Sequence, residues 1–175
     1  MKYTLTNSAL SVAAVLTFVT ISLAQSSSTQ IVRLAPKAFP ELPTNLVEEF
    51  QRRGCTIPQE TWSGRRNNVI KGAFAKPGQT DWAVLCSLKG ISTILVFWNA
   101  SEKNPAAIAP VEDGVNAQPR GIRAVGRDFI MRHYKAHGGP KPPPIDHQGI
   151  DDASEKASIV WYLYEGQWLQ LTGAD

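Results

Sequence analysis

NVIKGAFAKPGQTDWAVLCSLKGISTILVFW, spanning Asn68 to Trp98, alternates apolar and polar residues with period two and is broken by two turn signals. Val69 to Ala75 forms the first run. Pro77-Gly78 then supplies the two central residues of a type II turn, with proline pre-set for the first position and glycine free to take positive φ at the second. Trp82, Val84, Cys86 and Leu88 share one face of the next run, and Ala83, Leu85 and Ser87 share the other. Lys89-Gly90 is a short turn, and Ile91 to Trp98 is rich in the β-branched and aromatic residues that suit a pleated surface. Three strands joined by two tight turns predict an antiparallel meander.

Upstream, Pro43 and Thr44 open an amphipathic helix. Thr44 is a candidate cap, Glu48 and Glu49 lie toward its start, Arg52 and Arg53 toward its end, and Gly54 suits a left-handed stop. Leu46, Val47 and Phe50 fall on one face, so this helix must pack on something. Cys55 follows the helix and Cys86 lies in the middle strand; they are the only cysteines. An even count in an exported chain favours a disulfide over a reactive thiol, because Cys86 sits among apolar strand residues. The bridge would close a loop of about 32 residues, worth on the order of 3–4 kcal/mol in the chain-entropy description.

Export is itself read from Met1 to Ala24. Lys2, an apolar run from Ala9 to Leu23 and Ser22-Leu23-Ala24 before Gln25 are the parts of a secretory signal peptide, and the run is short for a bilayer span. Cleavage there leaves 151 of 175 residues, one ordinary domain with no stable membrane span. It carries 17 basic and 15 acidic residues, and its only adjacent basic pairs are Arg52-Arg53 and Arg65-Arg66. No nucleic-acid partner is expected from charges so scattered.

Residues 25–43 read as an extended N-terminal segment with Pro36 and Pro40, and residues 44–175 as a single α+β domain. Pro105, Pro110, Gly114 and Pro119 mark residues 99–119 as loop. Gly121 to Val125 is a short strand. Gly138 to Pro144 is extended and stiff. Ala157 to Tyr164 and Gln167 to Leu171 form a hairpin across Glu165-Gly166, placed to extend or cover the meander.

Gly54-Cys55-Thr56-Ile57-Pro58-Gln59, Asn68 to Phe74, Gln79 to Ser87, Asp146 to Asp151 and Leu171 to Asp175 resemble a group of uncharacterised exported bacterial proteins. That resemblance spans most of the mature chain and implies no particular activity. Gly72 to Phe97 is more loosely similar to one hairpin of an FG-GAP or VCBS-type propeller. That family repeats the unit and often binds calcium through an Asp-rich turn, whereas this chain has one unit and one turn carboxylate, Asp81.

The residues able to carry chemistry lie late. His133 and His137 have the spacing with which two imidazoles grip one metal from a helix face, and His147, Asp146, Asp151 or Asp152 would complete the set. As a strand, residues 127–137 would hold those two histidines about 13 Å apart, too far to share an ion. In the plainer reading Asp146 caps a turn, Gly149 takes positive φ, and Asp151-Asp152 begin another turn. The sequence contains no G-x-S-x-G elbow, P-loop or dinucleotide fingerprint. Trp62, Trp82, Trp98, Trp161 and Trp168 are core residues or, if exposed, platforms for sugar rings. Asn99-Ala100-Ser101 is a glycosylation sequon.

The leading expectation is an exported non-enzymatic binding or structural domain without a cofactor, such as an inhibitor or an envelope-associated protein, with a protein or glycan partner. The alternatives are a zinc- or calcium-dependent hydrolase using His133, His137, His147, Asp146 and Asp151, and a carbohydrate-binding module using tryptophans.

Overall fold

The computed structural model describes residues 31–60, 64–113, 119–155 and 157–174; the segment expected to be a signal peptide lies outside them. The meander forms as its alternation requires: β3 (Val69–Gly72), β4 (Asp81–Leu88) and β5 (Ile91–Phe97) pair antiparallel in that order. Gln79 N donates to Lys76 O, closing the Pro77-Gly78 turn with Gly78 at φ 76°. Lys89 and Gly90 both have positive φ, the conformation that matches the right-handed twist of the flanking strands. β3 stops at Gly72, short of the expected Ala75, because the Phe74 and Ala75 amides turn onto the Asp81 carboxylate.

Helix α1 (Thr44–Arg53) packs on one face of this sheet. Thr44 makes no capping bond. Pro43 holds the cap position, and its carbonyl accepts from Leu46 N and Val47 N. Gly54 ends the helix at φ 76°, ψ 24°. Leu46 and Phe50 are buried against Trp82, Val84, Leu95 and Phe97, with the Phe50 and Phe97 rings edge-on at 5.0 Å. Cys55 and Cys86 are bridged, Cα to Cα 5.4 Å, tying the helix end to the middle strand. Beside them β1 (Arg33–Leu34) pairs with β2 (Ile57–Pro58).

Part of the loop expected over residues 99–119 is a strand, and residues 114–118 lie outside the described residues. Ala106–Glu112 is a strand, β6, on the outer edge of the meander beside β5. Pro110 is tolerated because an edge strand leaves one side unpaired. A register shift between Ser92 and Ile94 and a positive φ at Ala109 bend this edge away from further pairing.

Of its two expected placements, the C-terminal hairpin covers the meander and does not extend it. β9 (Ser158–Tyr164) and β10 (Gln167–Thr172) belong to a second four-stranded antiparallel sheet of order β10-β9-β8-β7, with β7 (Gly121–Val125) and β8 (Gly149–Ala153). Asp151 and Asp152 therefore lie in a strand and do not begin a turn. Gly149 is in β8 without positive φ; a Cβ there would meet Val160 Cγ1 at 2.8 Å.

The second face of the meander (Ala83, Leu85, Ile94, Val96, Ile108) packs against the inner face of this sheet (Ile122, Ile150, Trp161). Helix α2 (Arg127–His137) covers the sheet's outer face, where Ile130 is buried with Val125, Val160, Tyr162 and Leu171. The layers run α1, meander, second sheet, α2. Asn68 joins the sheets: buried at φ 70°, its Nδ2 donates to Pro58 O (2.6 Å) and Arg120 O (2.8 Å), and its Oδ1 accepts from Ile122 N (2.8 Å).

Candidate functional site

Residues 127–137 are helical, so His133 and His137 share a face and their rings stack 5.9 Å apart, 7° from parallel. His133 also lies on Phe129, at 4.3 Å, and its Nδ1 is buried without a hydrogen bond. His147 is held elsewhere. Its Nδ1 is 3.0 Å from Gln148 O and its Nε2 2.9 Å from Leu163 O, while the ring stacks on Tyr162 at 4.3 Å. With both nitrogens against carbonyl oxygens, the ring turns no lone pair toward an ion. Asp146 points largely to solvent, its Oδ1 accepting from Tyr162 Oη at 3.2 Å. Burial pushes the Tyr162 phenol above its usual range, which keeps it a donor in this contact.

Asp151 and Asp152, adjacent in β8, point to opposite faces of the sheet. Asp152 faces inward and receives Arg120 through Nε and Nη2 at 3.0 and 2.5 Å. The same guanidinium donates to Ser92 O and Ala109 O, so it ties the two sheets together. Asp151 is fully buried, with Oδ2 taken by Arg123 Nε at 2.6 Å and Oδ1 buried without a donor. Among the described residues, no three His, Cys, Asp or Glu side chains are grouped to hold a metal. Asp81 is likewise engaged: its oxygens accept from Phe74 N, Ala75 N, Asn99 N and Gln79 Nε2.

Of the tryptophans, Trp62 lies outside the described residues and Trp82 is buried beneath α1. Trp98, Trp161 and Trp168 are half-buried on the core between the sheets, with Trp98 and Trp168 stacked at 6.1 Å.

A cleft of about 370 Å³ opens where the loop before β3 meets β7 and β8. Its lining includes Glu60, Arg65, Arg66, Asn67, Arg123 and Ala153. Buried Glu60 is fixed by Asn67, whose Nδ2 donates to Glu60 Oε1 at 2.9 Å, and Arg66 donates to Ala38 O. Arg123 is held on two sides, by Asp151 at Nε and by the Phe129 ring 5.2 Å from its guanidinium carbon, yet its side chain is 56% exposed. The Arg65-Arg66 pair was visible in the sequence, but nothing local linked it to Arg123. Arg123 and Asp151 are 28 residues apart and meet only because β7 and β8 pair in register.

Comparison with protein-family models, with curated proteins and with solved structures returns no match.

Proposed function

We propose that this chain is an exported, disulfide-locked binding domain that holds a ligand or partner without transforming it. The observation that carries this reading is how the polar residues of the C-terminal segment are used. His147 is clamped between two carbonyls and Tyr162, Asp151 and Asp152 are each taken by an arginine, and His133 lies on Phe129. Each of these contacts fixes a strand, a loop or a helix face, and catalytic groups need instead a polar atom aimed at a reacting centre. The bridge Cys55–Cys86 and the signal-like leader support an oxidising, extracytoplasmic setting. The resemblance to exported bacterial proteins points the same way.

Purified mature protein is expected to show no turnover on panels of esters, glycosides, phosphates and peptides, with or without added zinc or calcium. Robust turnover abolished by a single substitution at His133, His137, His147, Asp146 or Asp151 would sink the reading.

A glycan ligand is a second reading, favoured by the half-buried tryptophans packed on the inter-sheet core, of which Trp98 and Trp168 stack on each other. Quenching or blue-shift of tryptophan fluorescence on adding soluble cell-wall or plant glycans would support it. An unchanged spectrum would count against it.

A further inference from the structure

We propose that the cleft beside β7 is an oxyanion-binding site, with Arg123 as the group that grips a carboxylate or phosphate. The proposal rests on the binding-domain reading and names the ligand chemistry of one of its surfaces.

A guanidinium recognises an oxyanion best when its fork is oriented before the ligand arrives and the terminal N–H groups face solvent. Arg123 meets both conditions. Asp151 takes only Nε, at 2.6 Å, and the Phe129 ring supports one face at 5.2 Å. Both terminal nitrogens stay outside that bond, and no other hydrogen bond reaches them among the described residues. The carboxylate behind Arg123 is fully buried, so through its bond to Nε it orients the guanidinium while remaining inaccessible itself.

The charge around the cleft agrees. Arg65, Arg66 and Arg123 line it, and the acidic side chain among its lining residues is Glu60, which Asn67 anchors. Asp151 is buried under Arg123. Its volume admits one small anionic group together with part of the molecule that bears it. The shared chemistry is an oxyanion; a planar carboxylate and a tetrahedral phosphate are its two sources.

The test titrates inorganic phosphate, sulfate and acetate separately into the folded, oxidised protein at constant ionic strength, read by amide NMR shifts. The expected result is saturable shifts confined to Asn67, Gly121, Ile122, Arg123 and Ala153, with at least one of the three anions saturating by millimolar concentration. The order of affinities then identifies the source: phosphate ahead of acetate for a phosphorylated ligand, the reverse for a carboxylate. R66Q should weaken binding several-fold, and R123Q about tenfold or more, as loss of a charge-assisted bidentate contact requires. Because R123Q leaves Asp151 without its partner, the double variant R123Q/D151N serves where the single one does not fold. Shifts that never saturate, shifts scattered over the surface, or unchanged affinity in folded R66Q and R123Q/D151N would each overturn the site. Those results would leave the binding-domain reading standing. Turnover of an anionic substrate in this cleft would remove that reading and leave the site.

Discussion

Asn68 shows how one side chain can decide whether two layers stay together. It has three side-chain hydrogen bonds to main-chain atoms in two segments, Pro58 of β2 and Arg120 and Ile122 at the start of β7, and its own backbone adopts a left-handed conformation that asparagine tolerates better than most residues. Asn68→Ala removes all three bonds, strands buried donors and acceptors, and keeps the positive φ without the local compensation. A loss of about 3 kcal/mol is expected in urea unfolding, and a loss under about 1 kcal/mol would show that water or a shifted loop replaces it. Gly149 is decided by space. Val160 and the Trp161 carbonyl lie where a Cβ would go, and Ile130 of α2 is just beyond them. Gly149→Ala should cost on the order of 1–3 kcal/mol by pushing the Val160 side chain and the β9 main chain away from β8, readable as a lowered melting temperature with faster amide exchange in β8 and β9.

At the scale of elements, the bridge does for the first half of the chain what Asn68 does between the sheets. It joins the end of α1 to the central strand of the meander, across a sequence separation of 31 residues. Reduction of Cys55–Cys86 should lower stability by about 3–4 kcal/mol, measured by guanidinium unfolding with and without reductant. A smaller effect would mean that the Leu46 and Phe50 face already fixes α1 on the sheet. This half was legible in the sequence. The period-two pattern of residues 68–98, Gly54 and the turn pairs Pro77-Gly78 and Lys89-Gly90 are local signals, and local geometry obeyed them. β6 and β8 were not legible, because their residues are poor strand formers held by non-local partners. Ala106–Glu112 is recruited by the free edge of β5. Asp151 and Asp152 enter a strand because Arg123 and Arg120 neutralise them from opposite faces. Both interactions bring together segments with no shared sequence pattern, and Arg123 is hidden for the same reason. The clustering of His133 with His137 followed from their spacing once the segment was helical. The clamping of His147 by two carbonyl oxygens had no sequence signal.

The whole molecule is a four-layer stack, and its response to acid can be read from the carboxylates that its hydrogen bonds hold ionised. Asp113 is one carboxylate whose protonation breaks such bonds. Burial alone would raise its pKa, but hydrogen bonds from Ser87, Ser92 (2.5 Å) and Arg33 (3.2 Å) outweigh burial and hold the folded carboxyl below the ordinary aspartate value of 3.8. Through them it joins β1, β4 and β5 at one end of the meander. Glu49 moves in the same direction, chiefly through its hydrogen bond from Arg52, with burial opposing and Arg53 adding to the pull. For a carboxylate with a depressed folded value, the unfolded chain binds the proton more readily than the folded one. Its contribution is therefore complete above the unfolded value and is lost as pH falls through the folded one. The protein should keep its stability from neutral pH down to about 5 as far as these two groups are concerned, then lose it progressively as pH falls further. Asp113→Asn should lower stability at pH 7 and flatten the acid limb, and Glu49→Gln should flatten it independently, since the two sites share no partner. Urea midpoints measured between pH 7 and pH 2.5 for the three proteins check this. Parallel acid limbs for the wild type and Asp113→Asn would place the acid-sensitive contacts elsewhere in the stack.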